Sequence, residues 1–350
     1  MPVRVRADLA AMPDYVPGRK IAGAINLASN EVSYPPPAAI VAAVSEAAAS
    51  VHRYPAMGSE DLITRVAESF GVDAAQVAIG CGSVALCQQL VQALCTAQDE
   101  VLFAWRSFEA YPIVTQVVGA IRHTVPLAPG YRHDLAATLE AINERTRLIF
   151  VSNPLNPTGT ALRRDELVDF LDRVPEDVLV VLDEAYREFV TDPDVPDGLE
   201  LARGRQNVAV LRTFSKAYGL AGSRVGFCVA SPEVAGGVRK VAIPFSVNRF
   251  AHAAALASLE VQDELMERCR LIAAERDRVR DELIKIGFEV PESQANFVWL
   301  PLAERATAFN EHCVEQKVVL RCFAGDGVRV TIGTPEENEA MLAAARSFPG

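Results

Sequence analysis

The chain has 350 residues, of which 50% are hydrophobic and 23% are charged, and this composition suits a packed globular protein rather than a disordered one. Its formal net charge of −11 argues against a basic face that binds a nucleic-acid backbone. At this length we expect two domains, or one large domain with a smaller lobe, rather than a single small core.

The sequence shows no pattern typical of secretion or of membrane insertion. Residues 1–15 contain arginines but no apolar segment of signal-peptide length, and the most apolar stretches, 38–51 and 177–185, are short or interrupted by charge. The seven cysteines lack paired or metal-like spacing, and the five histidines do not cluster with them. We therefore expect a cytoplasmic protein with free thiols, no metal site and no membrane partner.

Short β-branched runs alternate with helical stretches in the first two thirds of the chain. Strands are predicted at 77–79, 100–104, 120–125, 147–153, 177–185, 208–214 and 224–230, with helices starting at 38, at Ser83, near Phe108 and near Asp134. Continuous apolar strands are typical of a sheet that is buried on both faces. The sequence therefore predicts an α/β fold whose central sheet is mostly parallel and flanked by helices.

The pattern changes after about residue 245. Residues 252–286 are expected to form one long amphipathic helix with heavy charge on one side. Further strands are predicted at 296–300, 317–323 and 327–333. These elements favour a smaller α+β domain. We predict a large α/β domain over 38–245 and a small domain built from 1–37 and 246–350.

Polar residues fall at the carboxyl ends of several predicted strands, where ligands bind in parallel α/β folds. Gly82 and Ser83 lie at a strand-to-helix turn, where free N–H groups favour a phosphate. Asn156 follows a second strand, and Asp183 and Glu184 end a third. An acidic strand end also fits a magnesium-dependent nucleotide hydrolase, but the chain has no G-x-x-x-x-G-K-[ST] loop. It also lacks a G-x-G-x-x-G motif with an acid at the spacing that dinucleotide binding requires.

One lysine, Lys216, stands between an apolar strand and a glycine-bearing stretch in "TFSKAYGLAGSRVGF". A lysine able to form a Schiff base, an aspartate and a phosphate-binding turn together describe a pyridoxal phosphate site. Asp183 would keep the pyridine nitrogen protonated, while Lys216 would hold the cofactor and later move a proton. Arg224, eight residues after Lys216, can hold a phosphate through two parallel hydrogen bonds.

Three stretches in this order, "NPLNPTGT", "VLDEAY" and "TFSKAYGLAGSRVGF", resemble the fold-type-I pyridoxal phosphate-dependent aminotransferases. Further matches place the resemblance in the histidinol-phosphate aminotransferase branch and extend it over nearly the whole length. They are "LASNE" (27–31), "RYP" (53–55), "IGCGS" (79–83) and "VRVTIGTPEEN" (328–338). The resemblance implies the same mostly parallel sheet, flanking helices and smaller α+β domain, with pyridoxal 5'-phosphate as cofactor.

The resemblance also implies roles for individual residues. Lys216 would carry the cofactor, Asp183 would pair with its pyridine nitrogen, and Asn156 and Tyr186 would hydrogen-bond its ring oxygen O3′. The residues implied to hold the cofactor phosphate are Gly82, Ser83, Thr213, Ser215 and Arg224.

Two further roles follow from the resemblance, and the sequence departs from it at two positions. Tyr54 would reach the phosphate of the neighbouring subunit in a homodimer, and Arg329 would bind the substrate α-carboxylate as a bidentate pair. Phe108 stands where the family usually has a tyrosine that stacks on the cofactor ring, and Phe108 can still stack but cannot donate a hydrogen bond. Val84 stands where the family often has an acid.

Two substrate classes fit the sequence. Arg321 is placed to meet the phosphate of histidinol phosphate, whereas Asp326 would oppose that phosphate if it faced the pocket. Tyr15 is expected near the site with either substrate. The stretch 318–333, with Phe323 ahead of the strand that carries Arg329, resembles the actinobacterial aromatic (phenylalanine) aminotransferases. We therefore favour ping-pong transfer between an aromatic amino acid and 2-oxoglutarate. Histidinol-phosphate transamination is the alternative, and a phosphothreonine decarboxylase is a further rival within the fold.

Overall fold

The computed structural model describes residues 3–10 and 21–349 of the chain. The strands are β1 (Ile25–Asn26), β2 (Val77–Gly80), β3 (Glu100–Trp105), β4 (Ile121–Pro126), β5 (Thr146–Ser152), β6 (Leu179–Asp183), β7 (Val208–Thr213), β8 (Gly226–Val229), β9 (Phe297–Leu300), β10 (Val318–Val319), β11 (Arg321–Phe323) and β12 (Gly327–Thr331). No helix in the described ranges is long and apolar enough to cross a membrane.

Helices precede, separate and follow these strands. They are α1 (Ala7–Ala10), α2 (Ala38–Ala48), α3 (Glu60–Phe70), α4 (Ser83–Leu94), α5 (Ala110–Val118), α6 (Leu135–Ala141), α7 (Arg164–Arg173), α8 (Gly198–Ala202), α9 (Pro232–Val241), α10 (Arg249–Glu260), α11 (Gln262–Lys285), α12 (Ala306–Glu315) and α13 (Pro335–Ser347). Short 3-10 turns span Ala74–Gln76, Arg187–Phe189 and Ala303–Arg305.

Seven strands form the central sheet, in the order β2-β8-β7-β6-β5-β3-β4. The five adjacent strands β4, β3, β5, β6 and β7 are all parallel. Strand β8 is antiparallel to both of its neighbours, β2 and β7. Both faces are buried, which explains why these strands are continuously apolar in sequence. The prediction of a mostly parallel sheet flanked by helices is confirmed.

Alternation along β6 decides which side of the sheet each side chain reaches. Val180 and Leu182 pack into one apolar core, whereas Leu179 and Val181 pack into a second core on the opposite face. Since side chains alternate along a strand, Asp183 at the end of β6 shares the face of Leu179 and Val181. Helices α4 and α5 cover that face.

The C-terminal strands form a separate small sheet. Strands β11, β12 and β9 are joined antiparallel in that order, and Arg321 is the direct cross-strand partner of Arg329. The short strand β1 pairs in parallel with β10, so the N-terminal segment around Ile25 lies against the C-terminal part of the chain.

The prediction of one helix over 252–286 is wrong. The region contains α10 and α11, which meet at Val261, where φ is −111° and ψ is 28°. Asp263 and Glu264 occupy the first turn of α11, where carboxylates stabilise a helix N-terminus. The apolar pattern continues across the break, and periodicity therefore did not reveal it.

Candidate active site

A cavity of about 230 Å³ opens at the carboxyl ends of β5, β6 and β7. It is called the central cavity below. Most of the predicted site residues line it: Ser83, Phe108, Asn156, Asp183, Tyr186, Thr213, Ser215, Lys216, Arg224, Arg321 and Arg329. The chain thus brings together residues that are up to 246 positions apart, from Ser83 to Arg329.

Asp183 is buried at the end of β6, with its two carboxylate oxygens in different situations. Oδ2 accepts a hydrogen bond of 2.7 Å from the Tyr111 hydroxyl. Oδ1 has no hydrogen-bond partner among the described residues. Burial raises the pKa of Asp183, and the bond from Tyr111 opposes that rise. A cationic N–H group in the cavity would satisfy Oδ1 and stabilise the carboxylate.

Lys216 lies in the turn after β7, and its Nζ donates a hydrogen bond of 2.9 Å to the Ser29 carbonyl oxygen. Burial, together with the positive charges of Arg329 and Arg224, lowers the pKa of Lys216 to about 7, and the charge of Glu31 opposes this shift. An amine with this pKa is substantially neutral at pH 7. It can therefore act as a nucleophile and as a base.

A compact anion-binding turn forms where α4 begins. Gly82 is the N-cap residue of α4 with φ of +78°, and a Cβ built there would lie 2.3 Å from Nη2 of Arg224. Only glycine leaves room for that guanidinium. Arg224 Nη1 donates 3.1 Å to the Ser215 hydroxyl, and the Ser215 N–H donates 3.1 Å to the Thr213 hydroxyl. These donors, with the start of α4, suit a phosphate.

Two polar side chains near Asp183, those of Tyr186 and Asn156, each accept a hydrogen bond from a neighbouring residue. Tyr186 Oη accepts a bond of 2.9 Å from Asn30 Nδ2, so the hydroxyl hydrogen remains to be donated. Asn156 Oδ1 accepts a bond of 2.5 Å from Arg329 Nη1, so the amide N–H₂ remains the donor. Burial raises the pKa of Tyr186, which keeps the phenol protonated. The pair can donate two hydrogen bonds to one anionic oxygen.

Two arginines stand at the end of the central cavity formed by β11 and β12. Arg329 is buried and donates 2.6 Å to the Ala28 carbonyl oxygen in addition to its bond with Asn156. Arg321 Nη2 lies 2.6 Å from Glu109 Oε2, and both side chains line the cavity. Asp326 does not oppose an anion there, because it pairs with Arg106 through a bond of 2.8 Å from Nε.

Three predicted site residues do not line the cavity. Gly82 lies behind it, against Arg224. Tyr54 is 79% exposed elsewhere on the surface, where its ring stacks on Phe245 at a centroid distance of 4.7 Å. Tyr15 lies outside the described residues.

Sequence reasoning missed several residues of the site. Tyr111 stands three positions after Phe108, which is helical spacing, but nothing local indicates its contact with Asp183. Glu109 shares the start of α5 with them and reaches Arg321. Asn30 belongs to the "LASNE" match; its Nδ2 donates to Tyr186, and its Oδ1 accepts a hydrogen bond of 3.0 Å from the Thr331 hydroxyl.

Glu184, next to Asp183 in sequence, takes a different role. Its carboxylate is buried away from the cavity, where it accepts 2.8 Å from Arg212 Nη2 and 2.7 Å from the Gly198 N–H. Within the described ranges no cluster of three or more histidine, cysteine, aspartate or glutamate side chains is placed to hold a metal ion. The adjacent acids therefore do not converge as magnesium ligands would.

Comparison with known proteins identifies the family. The sequence profile described as aminotransferase class I and II matches residues 22–345. The chain belongs to the class I and II aminotransferases. This aminotransferase is 56% identical over 345 residues to a protein of Nocardia farcinica named aromatic amino acid aminotransferase, with 98% of this chain and 96% of that protein covered. A Streptomyces coelicolor protein of the same name is 55% identical over 349 residues, covering 99% and 97%.

Solved structures of lower identity share the fold of this aminotransferase. A histidinol-phosphate aminotransferase from Sinorhizobium meliloti, solved in complex with pyridoxal-5'-phosphate, has a TM-score of 0.87 at 28% identity, covering 98% of this chain and 96% of that one. An N-succinyldiaminopimelate aminotransferase from Mycobacterium tuberculosis has a TM-score of 0.84 at 26% identity, covering 93% of both. The predicted family and the predicted fold-type-I architecture are confirmed.

Proposed function

We propose that this aminotransferase uses pyridoxal 5'-phosphate to move an amino group between an aromatic amino acid and 2-oxoglutarate in a ping-pong reaction. One cavity contains both the Oδ1 atom of Asp183, which has no hydrogen-bond partner among the described residues, and the amine of Lys216, whose pKa is lowered to about 7. This observation is the main support for the proposal. The two relatives named aromatic amino acid aminotransferase support the substrate class.

The residues present fit the proposed cofactor. The Oδ1 atom of Asp183 suits a protonated ring nitrogen, which would supply the hydrogen bond that this oxygen lacks within the described part of the chain. The turn of Gly82, Ser83 and Arg224 suits a phosphate monoester. When bound, pyridoxal phosphate supplies an electron-withdrawing ring that stabilises the negative charge left at the substrate Cα after proton loss.

Lys216 supplies the base of the reaction. Because burial holds its pKa near 7, Nζ is available as a free amine, first to attach the cofactor and then to take the Cα proton. The same atom returns the proton when the amino group passes to the oxo acid. The Tyr111 hydroxyl donates to Oδ2 of Asp183, which favours the charged form of the carboxyl against the rise in pKa that burial causes.

Other side chains orient the reactants. Asn156 and Tyr186 each retain a donor for the cofactor's O3′ oxygen, and Phe108 provides an aromatic face without a hydroxyl. Arg329 is the proposed binding partner of the α-carboxylate that the amino acid and the oxo acid have in common. A carboxylate bound there would replace the hydrogen bonds that Arg329 donates to Asn156 and to the Ala28 carbonyl oxygen.

A second copy of the chain is part of the proposal. Tyr54, Ile243 and Phe245 are exposed by 79%, 73% and 38%, and Tyr54 stacks on Phe245. The contact between the exposed rings of Tyr54 and Phe245 is typical of an interaction surface. We propose a homodimer in which Tyr54 reaches the phosphate site of the neighbouring subunit. Sedimentation velocity should give the mass of a dimer, and a monomer that is fully active would contradict this part.

We also propose that the protein is cytoplasmic. All seven cysteines are free thiols, and five of them are buried. Retained thiols are typical of a reducing compartment.

Steady-state kinetics with 2-oxoglutarate as acceptor tests the proposed substrates. We expect parallel double-reciprocal lines, and a kcat/KM for L-phenylalanine at least about tenfold above that for histidinol phosphate, which corresponds to about 1.4 kcal/mol. A preference for histidinol phosphate would make the alternative function correct. Turnover of neither compound would reject both.

A further inference from the structure

We propose that Asn30 is a positioning residue, which together with Thr331 fixes the direction of the Tyr186 hydroxyl so that its hydrogen points into the central cavity, toward the ring oxygen O3′ of the cofactor. The inference deepens the proposed function and rests on it for the identity of the cofactor. Its physical basis is a chain of buried hydrogen bonds that runs from the small sheet to Tyr186.

The chain starts at Thr331, the last residue of β12, and passes through Asn30, which follows β1. Oγ of Thr331 accepts a bond of 2.9 Å from the Asn30 backbone N–H and donates one of 3.0 Å to Asn30 Oδ1. Nδ2 of Asn30 then donates 2.9 Å to Tyr186 Oη. All three residues are buried, so solvent does not compete for these bonds.

The direction of the chain follows from what each group can donate. A backbone N–H only donates, so Thr331 Oγ accepts from it and keeps its single hydrogen for Asn30 Oδ1. The reversed amide would deprive that buried hydrogen of its acceptor, which is unfavourable. Nδ2 therefore faces Tyr186, and because Nδ2 also only donates, Tyr186 Oη must accept. The phenol hydrogen is left for an acceptor in the cavity that Tyr186 lines.

The backbone holds Asn30 in this position. Its φ of +54° is left-handed, a conformation that asparagine adopts more readily than most other residues. Nδ2 of Asn296 donates 3.2 Å to the Asn30 carbonyl oxygen. The amide is thus fixed at both its backbone and its side chain, and it connects the small sheet with a side chain of the large domain.

This direction has a chemical consequence at Lys216. A hydrogen bond from Tyr186 stabilises negative charge on O3′, and that charge would otherwise help to hold a proton on the nitrogen that joins Lys216 to the cofactor. Donation by Tyr186 therefore lowers the pKa of that nitrogen. If Tyr186 donated to Asn30 instead, the pKa would rise.

A pH titration of the absorption band of the lysine-bound cofactor tests the inference without turnover. Asn30→Asp keeps the size of the side chain and suits a left-handed φ, but it replaces the Nδ2 donor by an acceptor. Tyr186 should then donate to the carboxylate, and the midpoint of the titration should rise by about one pH unit.

The new carboxylate also adds a charge, and a second background separates the two effects. In Tyr186→Phe the hydroxyl is absent, so Asn30→Asp can act only through its charge. There it should move the midpoint less than about half as much as it does in the wild-type background.

Thr331 offers a test that changes no charge. Thr331→Val removes the hydroxyl that orients the amide, and the midpoint should rise by about half a pH unit. Thr331→Ser retains the hydroxyl and is the matched control, with the midpoint of the wild type.

The other charged side chains of the cavity are present in every variant, so their effect on the midpoint is common to all of them. They are Glu31, Glu109, Asp183, Arg224, Arg321 and Arg329. Thermal unfolding and the cofactor content of each variant verify that the fold and the site are intact.

An unchanged midpoint in Asn30→Asp would overturn the inference, and so would an equal shift in the Tyr186→Phe background. If Asn30→Asp does not fold, equal midpoints in Thr331→Val and Thr331→Ser overturn it. These results differ from a failure of the proposed function, in which the wild-type protein itself would show no lysine-bound band and the inference would fall with it.

Discussion

The two ends of the central cavity differ in how their charged groups are partnered. At the end formed by the large sheet, Oδ1 of Asp183 has no hydrogen-bond partner among the described residues. Nζ of Lys216 donates a hydrogen bond to the carbonyl oxygen of Ser29. At the end formed by the small sheet, Arg329 donates to Asn156 and to a backbone carbonyl, and Arg321 pairs with Glu109.

This difference fits the two kinds of proposed ligand, a cofactor that stays bound and substrates that exchange. A buried carboxylate oxygen without a hydrogen-bond partner is unfavourable, so the large-sheet end is more stable while the cofactor supplies that partner. Groups with protein partners can release and recover them, which suits substrates that are exchanged in each half-reaction. We therefore expect changes at the large-sheet end to reduce kcat, and changes at the small-sheet end to alter KM and specificity.

The largest effect is expected for Lys216→Ala. Loss of the amine removes both the point of attachment and the proton-transfer base, and turnover should fall by about 10³–10⁴-fold. Lys240→Ala, at an exposed position of α9, is the control and should be fully active. Multiple turnovers by the Lys216 variant at more than a trace of the wild-type rate would contradict the assignment.

Asp183→Asn keeps the shape of the side chain and removes its charge. Removing one partner of a buried ion pair costs about 3–5 kcal/mol, so kcat should fall by about 10²–10⁴-fold. Cofactor retention, measured by dialysis and absorbance, should change far less because the phosphate-binding turn is untouched. Unchanged kinetics would remove Asp183 as the partner of the ring nitrogen.

Arg329→Gln tests the other end of the cavity. Loss of hydrogen bonds between charged groups, about 1.5–3 kcal/mol, should raise KM for both the amino acid and the oxo acid by about ten- to a hundredfold. The surface variant Arg173→Gln should behave as wild type, since its Asp169 partner is equally exposed. A loss confined to kcat would show that Arg329 does not act as the carboxylate clamp.

Tyr111→Phe removes the hydroxyl that donates to Asp183 and leaves the ring stacked on Phe150, with a present centroid distance of 4.4 Å. Losing a hydrogen bond to a carboxylate should lower kcat by about tenfold and raise the pKa of Asp183. The acidic limb of the kcat–pH profile should therefore move to higher pH. Tyr218→Phe, an equally buried tyrosine whose hydroxyl meets Gln262, is the control. If kcat falls without that movement, Tyr111 supports the fold only.

The smallest effect concerns pH. The pKa of Lys216 is lowered to about 7, so Nζ is protonated below that pH and a free amine above it. The rate of covalent attachment of pyridoxal phosphate to the cofactor-free protein should rise through pH 7 and level off by about pH 8. A rate that keeps rising towards 10.5, the ordinary pKa of lysine, would show that burial does not tune this amine.

The large-sheet end of the site is the part that the sequence predicts well. Asp183, Thr213 and Lys216 lie at or just after strands whose apolar runs are visible in the sequence, and parallel strands bring such ends to one edge. The small-sheet end depends on contacts that no local pattern carries. The pairing of Arg321 with Glu109 joins residues 212 positions apart, through the register of β11 and the start of α5.

Two of the features that the sequence did not predict, the helix break and the role of Tyr111, have a common physical cause. The apolar pattern of 252–286 continues through Val261, so only the backbone geometry shows that α10 ends and α11 begins there. Tyr111 shows the same pattern as any core aromatic on a helix. Its function depends on an aspartate 72 positions away, on a neighbouring part of the sheet.

One titration tests the central claim most directly. Pyridoxal phosphate-loaded protein is titrated with L-phenylalanine, and the absorption band of the lysine-bound cofactor is followed, with Lys216→Ala alongside. We predict that the band converts to that of the pyridoxamine form at low phenylalanine concentration, that 2-oxoglutarate restores it, and that the variant shows neither change. If only histidinol phosphate converts the band, the substrate assignment is wrong. If the wild-type protein shows no lysine-bound band, the assignment of Lys216 is wrong.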